Sequence, residues 1–251
     1  MSEYKFVTVE NKDNGVSIIS INREDKRNAL NTQIIEELRK AFLVFDADES
    51  RRVAVLTGKG DAAFSAGADL LDMPAELWRG IPTVGFQTDK PIIAAVSGWC
   101  IGGALVLAMM TDLIVASESA KFYYPEAKVG FTGGIIAGLA YRLPHHVAME
   151  VVLLCRVLNA QRAHQLGFVN QVVPVGQQVD AAVKMADEMA EMAPMVLHTL
   201  KRFINQDVVT HGPSEKMART LGQLKELDNS YDTKEGLNAF KEKRAPVFLG
   251  R

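Results

Sequence analysis

Apolar and polar positions alternate from Tyr4 to Ile21, YKFVTVE and then VSIISI about Asn14-Gly15, which predicts a β-hairpin. A charged segment follows, Asn22–Leu30 (NREDKRNAL), with its basic residues bunched. Asn31-Thr32 then supplies a helix start, and Ile34, Ile35, Leu38, Phe42 and Phe45 share one face of a helix running to about Ala47. Val53–Thr57 is a short continuous apolar run, the pattern of a buried strand, and Gly58-Lys59-Gly60 and Phe64–Leu71 (FSAGADLL) come after it. Met73–Lys90 carries Pro74, Trp78, Gly80, Pro82 and Gly85 without a sustained period, so an irregular stretch is expected there.

The chain is organised around Ile92–Ala108, IIAAVSGWCIGGALVLA. It opens as a buried strand, breaks at Gly98, passes through Gly102-Gly103 and resumes as an apolar helix. Glycines at such a junction let backbone approach a ligand, and the first helical turn offers N–H groups with no intrahelical acceptor. Two donors in a dry site are a means of holding an oxyanion. The same residues also suit close helix–sheet packing, and the segment alone leaves both readings open.

Asp112–Ser117 reads as a further strand, and Ala120–Leu143 repeats the theme: AKFYYPEAKVG, a Thr-Gly-Gly turn, then an apolar helix IIAGLAYRL. Strand, glycine turn and buried helix thus recur three times, as in a spiral whose turns cover one another. After Pro144 the segments 148–155, 160–166, 178–191, 196–205, 214–227 and 233–243 read as amphipathic helices. Asp187, Glu188, Lys201, Arg202, Lys216 and Lys225 are expected on their wet faces. The Ala193-Pro194 break divides the chain into a core over residues 1–195 and a helical section over 196–251.

Composition narrows the class. The 251 residues are 48% hydrophobic and 23% charged with a net charge of -2, ordinary for a globular protein and without bias toward nucleic acid or an anionic membrane. The opening MSEYKFVTVE has no basic segment leading into an apolar one, and no uncharged run has bilayer-spanning length. Cys100 and Cys155 sit in apolar surroundings and read as reduced core residues, so a cytoplasmic protein is expected.

The chain has no G-x-S-x-G elbow, Walker A loop or zinc-type Cys/His spacing. Gly58–Ala63 matches G-x-G-x-x-A after a strand, but FSAG follows instead of a continuous helix, and a turn is the better reading. The histidines read as surface or satisfied core residues. Two glycine-flanked backbone sites remain, Ala66-Gly67-Ala68-Asp69 and Gly102-Gly103, together with Glu126 in an aromatic neighbourhood that would raise its pKa. Taken alone, Glu126 reads rather as a solvated loop residue ahead of a helix.

In this order and spacing, Asn22–Leu30, Phe64–Leu71, Ala94–Ala108 and Tyr124–Gly134 resemble the crotonase family of enoyl-CoA hydratases and isomerases. The likeness runs to Ala239–Arg244 near the end of the chain. It implies an α/β fold, a crotonase-like spiral of β-β-α units with a helical C-terminal trimerisation region, and hence a homotrimer or dimer of trimers. It implies an acyl- or enoyl-CoA substrate whose thioester carbonyl lies between the N–H groups of Ala68 and Gly103, with Glu126 as acid/base. Coenzyme A then enters as part of the substrate, and no separate cofactor or metal is expected. Arg23, Lys26 and Arg27 match the family's basic loop near the nucleotide end of CoA. Phe240 and Lys243 match a C-terminal helix that in relatives reaches a neighbouring subunit's CoA. Ala29, Ala66, Asp69, Leu70, Trp99, Gly102, Val106, Tyr124 and Gly134 fall in segments that the resemblance assigns to substrate binding.

The chain also departs from that pattern. Hydratases of the family carry two glutamates, and at the first position this chain has Val106, leaving Glu126. Some relatives place an aspartate in the turn near Gly133-Gly134, where this chain has glycines. Addition of water needs one group to activate it and another to deliver the α-proton. A single carboxylate suffices to move one proton between the α and γ carbons, so a Δ3,Δ2-enoyl-CoA isomerase is expected. The alternatives are a hydratase or hydratase-lyase with another second group, a different enolate reaction (C–C bond formation, hydrolysis, decarboxylation), or an inactive CoA-thioester-binding subunit.

Overall fold

The computed structural model describes residues 4–251. β1 (Val7–Asn11) and β2 (Val16–Ile21) form the expected antiparallel hairpin, with Val7 opposite Ile21. α1 (Thr32–Ala47) follows, its start fixed by Asn31, whose side chain accepts the N–H of Ile34 at 3.0 Å. Its buried residues include Ile34, Ile35, Leu38, Phe42 and Phe45, the predicted face.

From there the chain winds through two sheets. β3 (Val53–Gly58) joins β2 in parallel, and β4 (Ala63–Ser65) begins a second, smaller sheet. β5 (Ile92–Val96) lies beside β3, β6 (Trp99–Ile101) lies beside β4, and α2 (Gly103–Met109) completes the turn. β7 (Leu113–Ser117) lies beside β5 and β8 (Lys121–Tyr123) beside β6, followed by α3 (Glu126–Val129). Each turn of the spiral therefore lays one strand in each sheet.

α4 (His145–Leu153), β9 (Leu158–Asn159), α5 (Ala160–Gln165), β10 (Gln171–Val173) and α6 (Gln178–Ala190) lead out of the spiral. β9 pairs antiparallel with β8, and β10 pairs parallel with β7. α7 (Pro194–Phe203), α8 (Pro213–Asn229) and α9 (Tyr231–Glu242) complete the chain. No helix among the described residues is long and apolar enough to cross a membrane.

The large sheet is buried on both faces, which explains its continuous apolar runs. Val53 and Val55 face Ala182, Val183 and Ala186 of α6, whereas Ala54 and Leu56 join the core shared with α1 and α2. Two expectations change. The apolar helix expected after the Thr-Gly-Gly turn is a 3-10 helix over Ile135–Tyr141, and the residues that begin α8 pack against its glycine-bearing turn. Lys201 is not on a wet face: its Nζ donates to Lys90 O and to Asp112, each at 2.7 Å, pinning α7 to the sheet.

Candidate active site

Parallel strands β4, β6 and β8 lie side by side, and their C-terminal ends release Ala66–Ala68, Gly102-Gly103 and Tyr124–Glu126 at one rim. Ligands of parallel α/β sheets bind at such ends, where the chain leaves the ladder with free backbone groups. The three segments border one cavity of about 440 Å³.

Ala68 forms a parallel bridge with Leu30, made by its neighbours: Leu30 N–H donates to Gly67 O and Asp69 N–H to Leu30 O, both at 2.8 Å. In that pattern the N–H of Ala68 faces away from Leu30. Gly103 is the first residue of α2, so its N–H has no intrahelical acceptor. The two loops touch: a Cβ at Gly67 would stand 2.6 Å from Ile101 O and 3.7 Å from Gly103 N.

Glu126 opens α3 and is 9% exposed. A Cβ at Gly102 would stand 2.5 Å from its Oε1, and its buried Oε2 has no hydrogen-bond partner among the described residues. Burial pushes its pKa up to about 7, because the anion loses water and gains no cation in exchange. Tyr124 is tied up nearby: its hydroxyl lies 2.8 Å from Thr132 Oγ1, and burial pushes its pKa up to about 12. Val106, one turn into α2 from Gly103 and 5% exposed, presents only methyl groups to the cavity. Among the described residues, Glu126 is the one carboxylate in the lining.

Ala66, Ala68, Leu70, Gly102, Gly103, Val106, Tyr124, Glu126 and Gly134 thus line one space. The other candidates lie outside it. Arg23 pairs with Asp69 at 2.5 Å and also donates to Ala29 O at 3.2 Å, so these three bind one another. Lys26 and Arg27 are exposed on the same loop. Trp99 stacks obliquely on Tyr123 at 6.1 Å with Lys121 above it, and it is not part of the cavity lining. Phe240, 84% exposed, and Lys243, which ends α9, are also outside it.

A sequence model of the enoyl-CoA hydratase/isomerase family matches residues 11–251. The chain belongs to this family. Among curated relatives, the carnitinyl-CoA dehydratase of Proteus mirabilis is 34% identical over 242 residues, 90% of this chain and 92% of that one. The mitochondrial enoyl-CoA hydratase of Pongo abelii is 36% identical over 259 aligned positions, 98% of this chain and 88% of the relative. Among solved structures, a carnitinyl-CoA hydratase from Mycobacterium avium superposes with a TM-score of 0.77 at 37% identity, covering 98% of this chain and 99% of its own. An enoyl-CoA hydratase from Mycobacterium tuberculosis H37Rv gives 0.76 at 35% identity, with the same coverage. The spiral of β-β-α units is therefore the crotonase fold, and the chain is an enzyme of that superfamily.

Sequence reading of this family member missed what α8 adds to the wall of the cavity. Leu77 and Trp78 of a short 3-10 helix, and Ser214, Met217, Ala218 and Leu221 of α8, close it from above. α8 is anchored there by Arg219 donating to Thr83 O at 2.7 Å and by the ion pair of Lys225 with Glu76. The signal in the sequence is the Met217, Leu221, Leu224 spacing, an apolar stripe on a helix far from the glycine motifs.

Proposed function

We propose that this enzyme acts on an enoyl-CoA thioester through an enolate, with the thioester oxygen received by the N–H groups of Ala68 and Gly103. Glu126 in its carboxylate form takes the α-proton from C2, and the electron pair moves onto the thioester oxygen. Two aimed donors in a dry cavity lower such a barrier by several kcal/mol, about 3 for each donor. The same carboxyl group then returns the proton to C4, and the double bond moves from C3–C4 to C2–C3. The observation carrying this Δ3,Δ2-isomerase reading is that, among the described residues, Glu126 is the one carboxylate in the lining, to which Val106 adds only methyl groups.

A hydratase or dehydratase is the second reading, supported by the names of the relatives at 34% and 36% identity. It needs a second polar group to hold water, in place of Val106. Exchange of the α-protons of a saturated acyl-CoA into deuterated water tests the enolate common to both: exchange is expected, and its absence removes both.

Arg23, Lys26 and Arg27 would meet the nucleotide end of CoA. Phe240 at 84% exposure, Leu237 at 58% and Val247 at 61% leave an apolar surface at the chain's end, which supports assembly into a trimer. In that assembly Phe240 and Lys243 would contact a neighbouring subunit's CoA.

A further inference from the structure

The wall that α8 contributes carries one polar side chain, Ser214, whose place is tightly defined. Its Oγ stands 2.3 Å from where a Cβ at Gly134 would be, so the hydroxyl occupies the space a side chain at position 134 would take. The φ of Gly134 is +76°, in the left-handed region, so the turn already favours glycine there. Ser214 does not cap its helix: Gly212 holds the N-cap position and α8 has no side-chain cap bond. Among the described residues its Oγ has no hydrogen-bond partner, although it is half-buried at the edge of the cavity.

Tyr124 and Glu126, two other polar side chains in the lining, already have roles. The Tyr124 hydroxyl is paired with Thr132, whose Oγ1 also accepts the N–H of Gly134 at 3.1 Å, and Glu126 handles the proton. A hydroxyl facing an apolar cavity without a partner is unfavourable when an alkyl chain covers it, and that cost disappears when the ligand brings an oxygen.

We propose that Ser214 is a specificity-determining residue that hydrogen-bonds an oxygen on the acyl chain, and that the preferred substrates are oxygen-bearing acyl-CoA thioesters rather than plain alkyl ones. The inference rests on the reading of this cavity as an acyl-CoA site. The oxygen can sit at C3, as in a hydrated thioester, or further along the chain, and the hydrogen bond is the same.

The test is calorimetric binding of butyryl-CoA, 3-hydroxybutyryl-CoA and 4-hydroxybutyryl-CoA in the Glu126→Gln background, where proton transfer is disabled. Each is measured with Ser214 intact and with Ser214→Ala, a smaller residue that suits a helix. With Ser214 intact, one hydroxyl-bearing thioester is expected to bind about 3- to 10-fold more tightly than butyryl-CoA, and Ser214→Ala to abolish that advantage. An advantage at C3 or at C4 supports the inference equally and locates the oxygen. Equal affinities for all three, or an advantage that survives Ser214→Ala, would overturn it while leaving the thioester site intact. Absence of binding by every thioester would overturn the reading of the site and this inference with it.

Discussion

The carboxyl group of Glu126 rests against the Cα of Gly102: a single methyl group there would come within 2.5 Å of Oε1. The backbone that presents the Gly103 N–H and the side chain that moves the proton are therefore placed by one contact. Gly102 also has φ +57° and donates its N–H to Tyr123 O at 2.8 Å, which fixes β6 against β8. Gly102→Ala is expected to lower kcat/KM by about 100-fold or more through misplacement of both groups. It should also lower the melting temperature, because a positive φ with ψ −119° costs an alanine about 1–3 kcal/mol. Steady-state kinetics and a thermal melt of the same variant check both effects.

Glu126→Gln preserves shape and removes the proton carrier. The kcat is expected to fall by about 10²- to 10⁴-fold, with binding of a saturated acyl-CoA retained. Unchanged turnover in this variant would show that another group moves the proton.

The pH dependence follows from the same group. Proton abstraction needs the carboxylate, so kcat/KM should rise about tenfold per pH unit below 7 and level off above it, given the pKa of about 7. Stability runs the other way. The unfolded chain releases this proton near the ordinary glutamate value of 4.5, and the folded chain keeps it to about 7, so stability from this residue falls as pH rises across that interval. Glu126→Gln removes that loss, and its melting temperature should overtake that of the parent above pH 7, by the equivalent of about 3 kcal/mol. Paired melts at pH 4.5 and pH 8 measure the difference.

Val106→Glu places a second carboxyl group in the lining, one turn from Gly103. Water addition to a 2-enoyl-CoA is expected to appear or rise by about tenfold or more, as a second acid/base group contributes about 10²–10⁴-fold when well placed. Hydration assays on the variant and its parent test whether Val106 is what limits that reaction.

Lys90 serves the fold rather than the site. Its Nζ donates to the carbonyl oxygens of Phe45 at 3.0 Å and of Asp46 and Asp48 at 2.8 Å, closing the C-terminal end of α1. Lys90→Met keeps the apolar stem and leaves those acceptors bare, so a loss of about 1–3 kcal/mol is expected in denaturant unfolding, with little change in kcat.

The parts legible in the sequence were those with a local cause. Asn14-Gly15 turns the hairpin, Asn31 caps α1, and the spacing from Ile34 to Phe45 names the face that packs. Alternation failed for the small sheet, because β4, β6 and β8 are three residues each, too short to show a period, and they supply the second strand of every turn. Lys201 looked like a solvent-facing helix residue, and only the tertiary position of Asp112 draws it inward. Glycine motifs marked Ala68, Gly102 and Gly103, whereas Glu126 read alone as a solvated loop residue and was named only through the family resemblance; in the fold it is buried. Ser214 and Met217 had no such mark. They meet those residues across long sequence separations, and only the packing of α8 onto the irregular 73–90 stretch brings them there.

The most direct test of the one-carboxylate account is to incubate the enzyme in deuterated water with a 3-enoyl-CoA and, separately, a 2-enoyl-CoA, following both by mass spectrometry. Conversion of the 3-enoyl to the 2-enoyl thioester is expected, lost in Glu126→Gln, with no hydrated product from either. Rapid hydration of the 2-enoyl-CoA with the 3-enoyl-CoA left unchanged would contradict it and establish that another group does the work expected of a second glutamate.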